Sequence, residues 1–416
     1  MKKHCIFLIV AFLSAASLSA ASLPAVDSTA VEHLVLSADE DSLPAGNILR
    51  IDEKALLPVE EQAFLPVRGV DMDFQMRGSL RGDFPHGGKA AAKFRMDDIR
   101  LNIEGNAGKN VYYRFRQSFT KDFNTLSFEN IVSSVNYAFV RWSVDPKATL
   151  TFGKHVLALG GHEFDAVPVY VIEFSDFGSS LSSYQMGVSG EWHITPSHDL
   201  ILQVCNFRGV PDNEFYYGGL PDGVEETSFP FIATANWNGS FLDNTLNLRY
   251  SASYGHQATD KGVWIVSLGH SYRLSRWGAY LDLMWSRQGL DVSSILSGSA
   301  NYPDGILRTL QNTEYLSLVG YLHFFISPTF MTFFKGAWEC GGIYMPYEDL
   351  SRGIYRTNWN AQACLQYMPT KDRDFRLFLH YNFYNRHALP LGRNLGMADF
   401  SEHRVSLGII YIMNVL

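Results

Sequence analysis

Apolar and polar side chains alternate along the chain from about residue 70 onward. In residues 72–84 the two parities separate, with Met72, Phe74, Met76, Leu80 and Phe84 on one and Asp73, Gln75, Arg77, Ser79, Arg81 and Asp83 on the other. Because successive side chains of a strand point to opposite faces, this segment predicts a β-strand with one apolar and one charged face. The same alternation returns in residues 111–116, 184–192, 246–254 and 358–367, and this repetition carries the prediction.

The gaps between these segments are alternately short and long. The short gaps contain Gly, Pro, Asn, Asp or Ser, which form tight turns at low steric cost; they are residues 106–110, 145–147, 195–198, 238–244, 274–276, 327–329 and 369–373. The other gaps, most of them longer, are residues 85–90, 121–131, 156–183, 208–230, 257–262, 288–313, 341–355 and 386–400. In lipid every backbone polar group needs a partner within the protein, and a closed barrel supplies one. We therefore predict an all-β fold, a transmembrane antiparallel β-barrel of about sixteen strands over residues 71–416, with both termini at the short-turn end.

The first 70 residues lack this pattern. Lys2 and Lys3, an apolar stretch over residues 6–13 and small residues up to Ala21 predict a signal peptide over residues 1–21, with a membrane anchor as the alternative. Residues 22–70 are acidic, with Leu-Pro pairs that begin at positions 23, 43, 57 and 65. This texture favours a periplasmic N-terminal extension or linker, and a plug folded back into the barrel is the alternative.

Composition narrows the partners and the chemistry. Removal of Lys2 and Lys3 with the leader takes the formal net charge from −8 to −10, which argues against a nucleic-acid partner. Three cysteines follow the leader, Cys205, Cys340 and Cys364. An odd number at wide spacing fits neither a disulfide framework nor a zinc pattern. We therefore expect no metal or cofactor, and the cysteines as small residues of the wall or the lumen.

Enzyme motifs are missing from the sequence. It has no Gly-x-Ser-x-Gly elbow and no Gly-x-x-x-x-Gly-Lys-Ser/Thr loop. His155 and His162 are seven positions apart without a His-x-x-x-His or cysteine partner, which disfavours a metal site. The chain is therefore predicted not to be an enzyme. Two alternatives stay open: a barrel-embedded hydrolase, and a surface-exposed polysaccharide-docking or adhesion barrel that would use the aromatic- and Gly-rich loops 208–230 and 288–313.

The order of segments in the first part of the barrel resembles a known family. An arginine-bearing strand at 112–116 precedes an Ala-x-Val-x-Trp strand at 137–142, then a Gly-Lys strand end at 153–154 and a Gly-rich loop. This order resembles the phosphate-selective porin O and P family, over residues 71–416. The resemblance implies a sixteen-stranded, homotrimeric porin of the outer membrane of a Gram-negative bacterium, with its third long loop folded into the lumen. It also implies passive diffusion of small polar solutes or ions through a water-filled channel, with phosphate and other anions as candidates.

Two further patterns point to the membrane and to assembly. Residues 406–413 resemble the C-terminal signal read by the bacterial barrel-assembly machinery, and an ordinary last strand is the alternative. Tryptophans near strand ends are expected to form two bands in contact with outer-membrane lipid at its interfaces; they are Trp142, Trp192, Trp237, Trp264, Trp285 and Trp359.

Arginines are the candidate pore-lining residues. Strand parity places eight of them on the water-filled side, as Arg77, Arg81, Arg100, Arg114, Arg116, Arg141, Arg376 and Arg404. An arginine facing lipid at the bilayer midplane would cost about 2–4 kcal/mol, which supports this assignment. Closure of the barrel would bring these strands together into one surface, which we call the basic wall. The alternative is that these arginines only pair with inward Asp73, Asp83, Asp98, Glu104 and Glu402 to solvate the lumen.

The third long loop is the candidate constriction. Its charged and titratable residues are Lys154, His155, His162, Glu163, Asp165, Glu173 and Asp176. We expect its four acids to face the basic wall across a narrow aqueous gap. The resulting transverse field would favour small polar or zwitterionic solutes without strong anion selectivity.

Overall fold

A computed structural model describes residues 69–120, 134–181, 183–207, 215–370 and 374–415. The predicted signal peptide and nearly all of the predicted extension lie outside the described residues. The sixteen strands are β1 Val70–Pro85, β2 Ala91–Asn106, β3 Val111–Ser118, β4 Val135–Asp145, β5 Ala148–Val156, β6 Tyr184–Thr195, β7 His198–Asn206, β8 Glu226–Phe241, β9 Leu246–Ala258, β10 Lys261–Arg273, β11 Trp277–Leu290, β12 Gln311–Ser327, β13 Phe330–Ile343, β14 Gly353–Tyr367, β15 Phe375–Ala388 and β16 Phe400–Asn414. The described helices are α1 Asp176–Ser180, α2 Pro390–Asn394 and the 3-10 helix Ser297–Ser299.

The strands form one closed antiparallel barrel. Each strand pairs with its neighbours in sequence, and β1 closes the ring against β16, with Ser79 opposite Gly408. The prediction of a sixteen-stranded transmembrane barrel is confirmed. One gap differs from the expected alternation, because β9 and β10 are joined through Thr259 and Asp260 alone, and Asp260 adopts a left-handed conformation at φ 58°. None of the helices in the described ranges is long and apolar enough to cross a membrane.

The alternating pattern separates the lumen from the outer surface. In β14 the polar side chains of Arg356, Asn358 and Asn360 are buried inside the barrel, whereas Trp359 between them is 58% exposed on the outside. Apolar side chains that would be costly in water are favourable against lipid chains, so this outer surface suits a membrane.

All six tryptophans of the expected bands lie on the outer face. Trp142, Trp192 and Trp237 lie toward the short-turn ends of their strands, and Trp264 and Trp285 lie in the half nearer the long loops. Trp359 lies near the middle of β14, outside both bands. Its outer neighbour across the β13–β14 pair is Trp338, so two large rings share the lipid-facing surface there.

One half of the barrel interior is filled with apolar side chains. Leu157, Leu159 and Phe177 of the β5–β6 connection pack against inward residues of β7 to β14, among them Ile265 and Met284. Cys205 and Cys364 are buried on the lumen side, as expected for small residues of the wall. This packing decides where open space remains, because it leaves the opposite half to water.

Candidate permeation pathway

The described part of the β5–β6 connection, residues 157–181 and 183, folds into the barrel; we call it the inner loop. It passes over the inner face of the wall at Gly160 and Gly161, which have φ values of 69° and 75°. We call this close contact the crossing. A Cβ on Gly269 of β10 would lie 2.7 Å from the Cα of Gly161, and a Cβ on Gly160 would lie 2.9 Å from Ser251 Oγ. Glycines on both sides therefore allow the backbones of loop and wall to touch.

Asp282 of β11 fixes the loop just after this crossing. Its carboxylate accepts hydrogen bonds from the backbone amides of His162 and Glu163, at 2.8–2.9 Å. Asp282 is fully buried, and charge-assisted bonds of this kind offset part of the cost of burying its charge. Burial also lowers the pKa of the neighbouring His162 well below its usual value, so the imidazole is neutral at pH 7.

A buried ion pair joins the middle of the inner loop to β13. Glu163 Oε1 lies 2.6 Å from Lys335 Nζ, and their side chains are 0% and 4% exposed. Ser175 adds two bonds to the same carboxylate, from its amide at 2.8 Å and from its hydroxyl at 2.6 Å. Lys335 also donates to the carbonyl of Glu173 at 2.8 Å. These extra bonds satisfy the remaining polar atoms of the pair, a condition for a buried ion pair to be tolerated.

The first turn of α1 rests on the carboxylate of Glu339 of β13. Glu339 accepts from the amides of Asp176 and Phe177, both at 2.9 Å, and from Asn358 Nδ2 at 2.7 Å. Asp176 itself pairs with Arg356 of β14 and accepts from the Tyr384 hydroxyl at 2.8 Å. The helix end is therefore held to the wall through both its amides and its first acidic side chain.

The two remaining loop acids are paired as well. Asp165 forms an ion pair with Arg249 of β9, and Glu173 forms one with Arg404 of β16. The expectation that the four acids face the basic wall is therefore wrong for Glu163 and Asp165, which pair with cations outside that wall. Asp176 also pairs outside it, with Arg356, and Glu173 contacts the wall through Arg404. The physical reason is that the half of the barrel from β9 to β14 offers both apolar side chains and cations, so the loop lies against that half.

The three missed cations carried a detectable signal. Arg249, Lys335 and Arg356 each lie on the inward parity of their strands, as the arginines of the basic wall do. Strand parity thus predicts that they face the lumen. It does not predict their partners, because the path of the inner loop is set by the crossing at Gly160 and Gly161.

All eight arginines of the basic wall lie on the lumen side, and they divide into three groups. Four pair with carboxylates of the same strand or of a neighbouring one, which is the alternative that the sequence left open; the pairs are Arg81–Asp83 at 2.7 Å, Arg100–Asp98 at 2.8 Å, Arg114–Glu104 at 3.3 Å and Arg404–Asp83 at 2.7 Å. Arg77 and Arg376 hold the inner loop, since Arg77 donates to the carbonyl of Val169 at 3.0 Å and Arg376 stacks 3.9 Å from the ring centre of Tyr170.

The third group is covered by aromatic rings. The Arg116 guanidinium lies 4.2 Å from the ring centre of Tyr137 and donates to the Tyr184 hydroxyl at 2.7 Å. Arg141 lies over Phe139 at 5.6 Å. Arg116 is only 1% exposed, so ions in the lumen are affected by its electric field but do not contact its side chain.

An open passage of about 1380 Å³ lies between the inner loop and the opposite wall. Its basic side chains are Arg77, Arg100, Lys154 and Arg404, and the acidic side chains that border it are Asp97, Asp98, Glu173, Asp176 and Glu402. The sequence analysis assigned Lys154 and His155 to the third long loop. They belong to β5 instead, because the strand continues to Val156. His155 is buried, with Nδ1 2.8 Å from the carbonyl oxygen of Gly153.

Loop 208–230 was considered for polysaccharide docking, and two of its aromatic side chains, Phe215 and Tyr216, pack against the rest of the protein. Tyr216 is 1% exposed, and Phe215 packs against it and against Phe207. Tyr217 alone of the three aromatics at 215–217 is exposed. A stacking platform of several free rings is therefore not formed by this part of the described chain.

Comparison with known proteins identifies the family. The family model described as phosphate-selective porin O and P matches residues 70–411. The chain belongs to the phosphate-selective porin O and P family. This porin is an outer-membrane channel for passive diffusion. A comparison with curated protein sequences gives no significant match.

Solved outer-membrane channels share the fold. The channel DcaP of Acinetobacter baumannii is similar with a TM-score of 0.56 and 14% identity, over 83% of this chain and 98% of that one. OmpF of Salmonella typhi gives 0.54 and 10%, over 83% and 97%. The anion-selective porin from Comamonas acidovorans gives 0.52 and 10%, over 83% and 99%.

Proposed function

We propose that this porin conducts small polar solutes and inorganic ions with a modest preference for anions, phosphate among them. The observation that carries the proposal is the position of the inner-loop acids. Glu163 and Asp165 are paired with cations of the far wall and do not border the passage, and Asp176, which does border it, is paired with Arg356 of the far wall. Arg77, Arg100 and Arg404 border that passage.

The size of the preference follows from the charges that remain. Four basic and five acidic side chains border the passage, but Asp97 pairs with Arg95 and Asp176 pairs with Arg356, two cations that do not border it. Four cations and three acids remain, so positive charge is in slight excess. One unit charge about 4 Å from an ion path in water contributes about 1 kcal/mol, or roughly a fivefold change in relative permeability. Low-dielectric walls focus such a field within a narrow passage. We therefore expect a few-fold preference and not exclusion of cations.

Assembly and chemistry complete the proposal. We infer that the porin works as a homotrimer and has no catalytic role, with outer-membrane lipid and the barrel-assembly machinery as its other partners. The family membership supports the channel role. Strands β3 to β7 have 8 to 12 residues whereas the others have 13 to 17, and this lower sector is a suitable contact surface for a second copy. Residues 22–70 would then extend into the periplasm.

The test is ion selectivity in planar bilayers before and after Arg100→Ala. The unmutated porin should give stepwise conductance, and the variant should lose part of its anion preference, by a factor of about two to five. Arg352→Ala is the matched control, because Arg352 is an exposed residue of the β13–β14 loop outside the passage. An Arg100→Ala channel with unchanged selectivity would contradict the proposal.

A further inference from the structure

Three metal-ligating side chains meet at the short-turn end of the lumen, away from the passage described above. Glu191 and His193 lie on β6 and Asp199 lies on β7. All three share the inward parity of Ser189 and Ile201, which are buried inside the barrel. Outer-membrane barrels place their short turns in the periplasm, so this cluster lies at the periplasmic mouth.

The antiparallel pairing of β6 and β7 fixes the cluster. His193 lies directly opposite Asp199 in the strand register, and His193 Nδ1 lies 2.6 Å from Asp199 Oδ1. Glu191 is two residues from His193 on the same face, and one ligand atom from each of the three side chains lies within 4.8 Å of the other two. Within the described ranges of the chain, no other group of His, Cys, Asp and Glu side chains has this geometry.

We propose that Glu191, His193 and Asp199 bind a divalent transition-metal cation of the zinc class. Zinc takes nitrogen and oxygen ligands at about 2.0–2.2 Å, so small side-chain rotations that open the His193–Asp199 contact and bring Glu191 closer would place one ligand atom of each residue around a single cation. An imidazole ligand favours zinc over magnesium and calcium, which prefer all-oxygen sites. Two carboxylates balance the charge of the cation, and water from the lumen completes its coordination.

Occupancy of this site would change the charge of the periplasmic mouth. A bound cation adds two positive charges to a lumen that already carries the basic wall, so it should increase the preference for anions. The binding claim does not depend on the proposed anion preference, because binding is measurable without any current. Failure of one can therefore be told apart from failure of the other.

The experiment is isothermal titration of Zn²⁺ into full-length, untagged porin in detergent after treatment with a chelator. The unmutated protein should show a site that His193→Ala weakens by more than about tenfold. His198→Ala is the matched control, since His198 is the histidine beside Asp199 but stacks on Trp237, with ring centres 5.6 Å apart. It should titrate like the unmutated protein.

A second variant guards against a folding defect. Glu191→Gln keeps the shape of the side chain and removes one ligand charge, so it should also weaken Zn²⁺ binding, with the thermal unfolding of the apo-protein unchanged. Titrations of His193→Ala and Glu191→Gln that match the unmutated protein would overturn the proposed site. Equal weakening by His198→Ala would overturn it as well, because it would show unspecific histidine binding.

Discussion

Glu163 and Lys335 form a buried ion pair at 2.6 Å that attaches the inner loop to the barrel wall. The two residues are 172 positions apart in the chain, one in the β5–β6 connection and the other on β13. Neither charge has access to bulk water, so each depends on the other. The position of the loop around Glu163 therefore depends on this charge pair as well as on the other bonds between the loop and the wall.

Removal of one member of this pair should loosen the inner loop around Glu163. In Lys335→Met the Glu163 carboxylate stays buried without its cation, which costs about 3–5 kcal/mol in the folded state. We expect a lower unfolding temperature and larger fluctuations of open-channel current. The double variant Lys335→Met with Glu163→Gln should recover most of the stability, and a double variant as unstable as the single one would contradict the role of the pair.

The close crossing at Gly269 should tolerate no side chain. A Cβ there would lie 2.7 Å from the Cα of Gly161, so Gly269→Ala must displace the loop backbone. We expect altered single-channel conductance and a destabilisation of about 1–3 kcal/mol in equilibrium unfolding. Gly320→Ala on β12 is the control, because its nearest neighbour would be Leu281 Cδ1 at 3.9 Å. Equal behaviour of the two alanine variants would show that the crossing is not tight.

The two kinds of arginine in the basic wall should respond differently. Arg116 is packed between Tyr137 and Tyr184, and Arg100 borders the passage. Arg116→Met should lower stability by about 2 kcal/mol through loss of cation–π contacts in a desolvated site. Chemical unfolding of the refolded barrel measures this loss. Arg100→Met, with the same change of side chain, should affect stability less and selectivity more, and the reverse order would contradict the assignment.

The alternation of apolar and polar residues was sufficient to predict the barrel, because within each strand it shows which side chains share a face. Residues 72–84 already separate Arg77 and Arg81 from Met76 and Leu80, and the structure places these sets on opposite sides. The same parity puts all eight arginines of the basic wall on the inward faces of their strands. It depends only on the two-residue period of a strand and on the cost of charge in lipid.

The partners of the inner loop were beyond this logic. His162 and Asp282 are 120 positions apart, and no local pattern connects a loop amide to a carboxylate on β11. The sequence predicted only that Arg249 and Arg356 face the lumen, and it did not predict that they pair with loop acids. The loop acids were therefore expected to face the basic wall. Their pairing is decided by how the loop packs on apolar side chains of β7 to β14, which is a tertiary property.

The sign of the reversal potential of the unmutated porin tests the central claim most directly. The claim is that Glu163, Asp165 and Asp176 are neutralised by the far wall, which leaves the passage with a small excess of positive charge. In a KCl gradient across a planar bilayer, we expect a reversal potential displaced toward the chloride equilibrium potential, with chloride a few-fold more permeable than potassium. A displacement toward the potassium equilibrium potential, or none, would contradict the account.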